Sequence, residues 1–252
     1  IYKKIFAIQT GQDTYIDLDR NFNKDSNLKK KKEFIVDKFF VPSLNDKLVF
    51  EEQKIKNKIS ILGNTRFQES WVEYLNNRSN DINLKNSKKY KLVLMLSKIE
   101  YGINLKSLIQ TFEYLSKLDD VILIVKPHTR GMNLKKIINE KKYNNIINGE
   151  EYDSSTLIKW SNHILFTGSS IIFQAMILQK KCIFLKNCLS VKSIFDNTDS
   201  VFVLSELSEL HDTIKTGNIE KNKLSDFLRK EVFNDGNSNS ANELVYKVLN
   251  EN

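Results

Sequence analysis

A chain of 252 residues is long enough to bury a sizeable core and fits one large domain, or one domain plus part of another. Its 39 basic and 31 acidic side chains leave a net charge of +8, carried mainly by lysine, but no basic stretch has the interleaved aromatics of a nucleic-acid module, so nucleic acid is excluded as a partner. No apolar run reaches the length of a membrane span and no signal peptide is visible, which reads as a cytoplasmic protein; the first residue, Ile1, suggests a cut from a longer sequence.

In chain order, Lys4 to Ile8 is a short apolar strand that runs into Gln9-Thr10-Gly11. Such a Gly-containing turn places polar side chains at the carboxyl edge of a sheet, where open α/β sheets bind ligands. The loop to about Lys32 is polar and ends in four lysines, Lys29 to Lys32. It reads as a solvated loop, with peripheral contact to an anionic inner membrane face as the sharper alternative. Phe34 to Val41 is a second strand, stopped by Pro42, and Ser43 can cap a helix reaching Phe50 and Gln53. Lys58 to Leu62 is a third strand, closing on Gly63-Asn64-Thr65-Arg66. The spacing of Phe67, Trp71, Tyr74 and Leu75 predicts a helix from Arg66 to Leu75, and Asn76 to Lys89 reads as a polar connection.

A regular alternation begins at Lys91. Leu92 to Leu96, Val121 to Val125, Asn145 to Asn148, Ile164 to Phe166, Cys182 to Leu185 and Phe202 to Leu204 read as six strands. Helical stretches fall between and after them: Leu105 to Leu118, Leu134 to Tyr143, Ser154 to Trp160 capped by Asp153 or Ser154, and Ile171 to Gln179. Glu206 to Lys215 capped by Ser205, Leu224 to Phe233 and Ala241 to Leu249 close the chain. Strands and helices alternating in this way specify a parallel, doubly wound α/β sheet. The expected division is 1–62, the tail of a second α/β unit, and 63–252, a complete one. Cys182 and Cys188 have no His or Cys partner at metal-ligand spacing, and Cys182 reads as a core thiol.

Two turns carry the chemistry. Lys126-Pro127-His128-Thr129-Arg130-Gly131 directly follows a buried strand and gathers three nitrogen-bearing side chains. Gly168-Ser169-Ser170 follows another and opens a helix that Ser169 or Ser170 can cap, with free N–H groups facing beyond the strand end. A parallel sheet puts both turns on one edge, so a diphosphate could be held by backbone N–H groups on one side and by His128 and Arg130 on the other. Gln174 is the one polar side chain between Ser170 and Gln179 and is a candidate ligand contact; the plainer alternative is a capped core helix with a satisfied glutamine. His163 and His211 read as structural or surface residues.

The order QTG, an apolar strand with PS, ILGNTRF, VKPHTRG, TGSSIIFQAM with QKKCIFL, and FNDGNSNSA before a terminal helix resembles the GT-B glycosyltransferases of bacterial surface polysaccharide synthesis. Capsule enzymes and CDP-glycerol glycerophosphotransferase-like enzymes are the nearest likeness, and UDP-N-acetylglucosamine 2-epimerases a more distant one. The resemblance implies two Rossmann-like domains facing a cleft, with 1–62 on the acceptor side and 63–252 binding the nucleotide of a CMP-, CDP- or UDP-activated donor. It implies that Gly63 and Asn64 lie where the chain enters the nucleotide domain, and that Lys126, His128 and Arg130 match a Lys-Pro-His-Pro-Arg pattern near the donor phosphates, with Thr129 in place of the second proline. Gly168, Ser169 and Ser170 then match the turn that receives the diphosphate. Gln174 stands where the family usually has Glu toward the ribose, and can still accept through its carbonyl, without charge.

The departure that matters most is Thr10, since relatives of this type often read Gln-His-Gly there with the histidine as base toward the acceptor. Threonine cannot take up a proton in that role at neutral pH. The catalytic candidates are therefore His128 and the Gln9-Thr10 turn with Asp13, or a group outside this sequence. The implied reaction moves a glycosyl or polyol-phosphate group from the donor to a glycan or lipid-linked acceptor, with no metal or other cofactor required. The rival readings are an epimerase, for which the sequence offers no convincing pair of acidic groups, and a non-catalytic nucleotide-sugar-binding or scaffold subunit.

Overall fold

The computed structural model describes residues 5–9, 11–12, 14–16, 36–52, 59–82, 84, 88–129, 143–234, 243 and 245–246. Apolar runs too short for helices build two parallel sheets. Phe6–Ile8 (β1), Lys38–Val41 (β2) and Ile59–Ile61 (β3) form the smaller, in the order β1-β2-β3. Tyr90–Met95 (β4), Val121–Lys126 (β5), Ile146–Asn148 (β6), His163–Phe166 (β7), Lys181–Leu185 (β8) and Phe202–Leu204 (β9) form the larger, in the order β6-β5-β4-β7-β8-β9. All pairings are parallel. The chain starts the larger sheet at β4, winds outward to β6, then returns to the other side of β4 and winds out to β9. The fold is therefore α/β and doubly wound, with its switch point between the carboxyl ends of β4 and β7.

The six strands alternate which face each side chain enters, and both faces are apolar. Leu92, Leu94, Leu123, Val125, Leu165 and Ile183 point to one side, where Leu108, Phe112 and Leu115 of Leu105–Leu115 (α3) and Leu210 and Ile214 of Leu210–Thr216 (α6) cover them. Val93, Met95, Ile124, Ile164, Phe166 and Phe184 point to the other. There Ser154–Trp160 (α4), Ile172–Ile177 (α5) and Lys221–Glu231 (α7) close over them. Parallel strands buried on both faces read as unbroken apolar runs, which is why this sheet is plain in the sequence. The smaller sheet carries Leu44–Glu52 (α1), whose entry is fixed by Ser43: its Oγ accepts from the Asp46 N–H at 3.3 Å and donates to the Asp46 carboxylate at 2.6 Å.

Several local expectations need correction. The predicted helix from Arg66 is a 3-10 turn at Thr65–Phe67 followed by Glu69–Arg78 (α2). Its buried positions are Phe67 and Val72, whereas Trp71 and Tyr74 are exposed and stack on each other with ring centroids 5.2 Å apart. The aromatic spacing marked the outer face because two rings that cover one another need no core. The stretch read as one helix from Glu206 is a 3-10 turn at Leu207–Glu209 leading into α6, without a side-chain cap from Ser205. Of the strand predicted from Phe34 to Val41, Lys38–Val41 forms β2 and Val36 and Asp37 stand outside it, while 34–35 lie outside the described residues. The lysine run 29–32 lies outside the described residues, as do 134–142 of the helix expected from Leu134 to Tyr143 and 241–242, 244 and 247–249 of the helix expected from Ala241 to Leu249. Val245 packs against Phe40 and Leu62 of the smaller sheet's side of the chain. Among the described residues no helix is long and apolar enough to cross a membrane.

His163 opens β7 at the opposite, amino edge of the larger sheet and gives a pH prediction. Burial, with the Lys181 ammonium adding to it, pushes its imidazole down from 6.5 to about 4. Its Nδ1 has no hydrogen-bond partner among the described residues. As pH falls, the unfolded chain takes up this proton before the folded one does. The stability contributed by the neutral ring is therefore present above about pH 6.5 and lost through the window down to about pH 4. Urea unfolding of the native chain and of His163→Gln at pH 7 and pH 4.5 should differ in their pH dependence by about 2–3 kcal/mol. Identical pH dependence would sink this assignment.

Candidate functional site

The carboxyl edge of the larger sheet gathers the two turns singled out in the sequence. β5 and β7 are the two neighbours of β4, so Lys126-Pro127-His128 and Gly168-Ser169-Ser170 flank the loop that leaves β4. That loop is tied to β7 directly: the Ser97 N–H donates to Thr167 Oγ1 at 3.1 Å, and the two hydroxyls lie 3.2 Å apart. The switch-point crevice thus has a rigid, polar rim.

On the β5 side, the Lys126 ammonium turns toward β6. It donates to the Glu150 carbonyl at 2.9 Å and the Tyr152 carbonyl at 2.6 Å, fastening the loop after β6. Burial lowers its pKa, opposed by the charges of Asp153 and Glu150. Pro127 is buried and His128 partly buried just beyond it, while Arg130 lies outside the described residues. On the β7 side, Gly168 has φ +125°. Helix α5 begins with three-residue bonds: the N–H groups of Ile172, Phe173 and Gln174 donate to the carbonyls of Ser169, Ser170 and Ile171. This overturns the expected serine cap, because the N–H groups that a capping hydroxyl would take are already bonded and the residue before the helix is Ile171 in helical conformation. The N–H groups of Ser169, Ser170 and Ile171 and both serine hydroxyls make no hydrogen bond among the described residues. A turn with free donors and a partly buried imidazole one strand-pair away is suited to an anion.

Gln174 is 2% exposed, and its amide donates to Ser155 Oγ at 2.8 Å, linking α5 to α4. Gly63, at φ +86°, lets the chain pass the Val232 carbonyl, which a Cβ would approach to 3.1 Å. Asn64 is buried and fully engaged: its N–H donates to the Val232 carbonyl at 2.7 Å, its Oδ1 accepts from the Arg66 N–H, and its Nδ2 donates to Gln12 Oε1 at 3.0 Å. The structure thus brings Gly63 and Asn64 against the end of α7, with Gln12 donating to the Glu231 carbonyl at 2.6 Å. Gln9 donates to Asp46 Oδ1 at 2.8 Å, and its own Oε1 is buried without a hydrogen-bond partner among the described residues. Thr10 and Asp13 lie outside the described residues.

Residues that sequence reasoning passed over complete this region. Burial, with the Asp46 charge adding to it and Lys230 opposing, raises the pKa of Glu231. The stretch Thr14 to Ile16 leaves the smaller sheet and reaches the switch point. Thr14 Oγ1 donates to the Gly168 carbonyl at 2.6 Å, and Tyr15 pairs antiparallel with Ser193. Thr14 and Gly168 are 154 positions apart, and no local pattern announces the contact.

Solved structures share this architecture. The UDP-GlcNAc 2-epimerase of Neisseria meningitidis bound to UDP-GlcNAc aligns with 98% of this chain and 70% of its own at 18% identity and a TM-score of 0.60. The fold is of the GT-B type. A second GT-B neighbour, the S. aureus MnaA-UDP co-structure, aligns with 94% of this chain and 67% of its own at 14% identity and a TM-score of 0.56. The wall teichoic acid polymerase TagF aligns with 92% of this chain at 16% identity and a TM-score of 0.51, and the chain spans 61% of its length. No family model matches the sequence, and no curated protein matches it. At these identities the likeness carries the GT-B fold alone, and function has to be argued from the residues.

Proposed function

We propose that the chain is the nucleotide-binding part of a GT-B transferase that moves a glycosyl or polyol-phosphate group from a nucleotide-activated donor to a surface-glycan or lipid-linked acceptor. The observation that supports this reading is the convergence of His128 and the unbonded donors of Ser169, Ser170 and Ile171 at the switch point of the larger sheet. Ligands of open α/β sheets bind in the crevice beyond the carboxyl ends of the strands at that point. In this reading the donor diphosphate lies against the Gly168–Ser170 turn, His128 and Arg130 offset the charge that develops on the leaving nucleotide, and 63–252 is the donor-side unit. The smaller sheet, with 1–62, is the acceptor side, and the reaction takes place in the cytoplasm.

A second reading is a UDP-N-acetylglucosamine 2-epimerase-like activity, which the epimerase neighbours and the carboxyls of buried Asp46 and partly buried Glu231 beside the β1 turn favour. Calorimetry with CMP, CDP, UDP and GDP tests the common core of both. One nucleotide should bind, and His128→Ala and Ser170→Ala should each weaken it by about 1 kcal/mol or more, the cost of a lost hydrogen bond to a charged group. Absence of binding to all four would overturn the donor site. Slow donor hydrolysis without acceptor then favours transfer, interconversion of UDP-sugars favours epimerisation, and binding with neither favours a non-catalytic subunit.

A further inference from the structure

The strap Thr14 to Ile16 does more than join the two sheets, because its partners are the turn after β7, which borders the switch-point crevice, and the loop after β8. Besides the Thr14 bond to the Gly168 carbonyl, the Thr14 carbonyl accepts from Ser193 Oγ at 2.8 Å and the Ile194 N–H at 3.1 Å, and the Ile16 N–H donates to the Lys192 carbonyl at 3.0 Å. From the smaller sheet's own side, Asn45 on α1 donates to the Tyr15 carbonyl at 3.2 Å. The backbone of the strap is therefore clamped from both sheets.

Between these bonds the Tyr15 ring is driven into the crevice and is 3% exposed. Its hydroxyl oxygen and two ring carbons lie 2.5–2.7 Å from the position a Cβ on residue 168 would take. Its other neighbour is Tyr101, edge to face with ring centroids 5.6 Å apart, in the 3-10 turn Ile99–Tyr101 that follows β4. The ring thus sits between the loop after β4 and the turn after β7. Gly168 is held at φ +125° with its carbonyl pulled toward Thr14, and that orientation determines where the next three N–H groups point. A side chain from one sheet is the floor on which a turn of the other is shaped.

We propose that Tyr15 is the positioning residue through which the smaller sheet sets the Gly168–Ser170 turn, so that the turn presents its N–H groups to an anionic ligand only while the two sheets are docked. The ligand class, the diphosphate of a nucleotide, rests on the transferase reading above; the coupling between strap and turn does not. It follows that undocking the strap lowers affinity for the nucleotide and that binding the nucleotide tightens the strap, since linkage between two equilibria is reciprocal.

Hydrogen exchange of the amides of 172–174, which are bonded to the carbonyls of Ser169, Ser170 and Ile171, followed by mass spectrometry without any ligand, tests the coupling. Tyr15→Ala should speed exchange in that peptide at least tenfold while leaving 121–125 of β5 within twofold, and Tyr15→Phe should keep both near the native rates. In the same proteins the Kd for the nucleotide that binds the native chain should rise at least fivefold for Tyr15→Ala and stay within twofold for Tyr15→Phe. Unchanged exchange at 172–174 in Tyr15→Ala overturns the proposal. If no nucleotide binds the native chain, the donor reading falls, and the exchange result still decides the strap. Should Tyr15→Ala fail to fold, Thr14→Val removes one bond and keeps the ring: faster exchange confined to 172–174 supports the coupling, and native exchange there overturns it.

Discussion

Replacing Gly168 by alanine should destabilise the chain by about 3 kcal/mol or more. Two separate costs fall on one atom. The backbone there is at φ +125°, a conformation L side chains rarely adopt, and holding a non-glycine residue in such a region costs about 1–3 kcal/mol. The added Cβ would also stand 2.5 Å from the Tyr15 hydroxyl oxygen, in a space closed by Tyr101 and by the paired strap, and overpacking of this kind costs about 1–3 kcal/mol again. Urea unfolding of Gly168→Ala, Tyr15→Ala and the double variant separates them. The clash vanishes with the ring while the backbone strain stays, so the double variant should be more stable than the sum of the two singles implies, by about 1–2 kcal/mol. Strict additivity would mean that the ring does not press on this turn.

The larger sheet was legible because its strands are buried on both faces, and Leu92, Val121, Ile164 and Cys182 each begin an uninterrupted apolar run. The turns after β5 and β7 were legible for a related reason: Pro127 and Gly168 punctuate those runs where strands end, and parallel pairing then forces both turns to one edge. Helix α2 misled because stacking of Trp71 on Tyr74 mimics the period of a core face, while the helix residue that is buried, Val72, is a single valine between the exposed Trp71 and Glu73. For Gln174 the sequence leaves a ligand contact and a satisfied core glutamine open, because Ser155, its hydrogen-bond partner, comes from a helix whose position depends on the whole sheet order. The strap was invisible for the same reason. Thr14, Tyr15 and Ser193 are ordinary residues locally, and their roles exist only once β7 and the loop after β8 have been brought beside them.

Phe195 extends this argument to the far side of the strap, and its truncation should be among the most damaging of the core substitutions. It lies in the loop after β8, beyond the short 3-10 turn Lys186–Cys188 and outside any strand or helix, yet it is fully buried. Its ring meets Phe166 edge on at 4.9 Å, Phe227 of α7 at 5.6 Å, and Phe173 and Phe184 each at 5.9 Å, so it joins β7, β8, α5 and α7 in one aromatic cluster. Two residues earlier, Ser193 pairs with Tyr15, and its hydroxyl holds the Thr14 carbonyl. The loop that grips the strap is thus anchored by a single buried ring. Phe195→Ala should cost about 3–5 kcal/mol in urea unfolding, the range for emptying a phenylalanine site in a packed core. Phe195→Leu, which keeps most of the volume, should lose less than half of that. The alanine variant should also speed exchange at 192–194 and, through Tyr15, at 172–174, whereas the equally buried Leu108→Ala on the opposite face should cost a comparable amount and leave both segments unchanged. If the two alanine variants affect those segments alike, the loop is held by general core packing and the anchoring role of Phe195 is wrong.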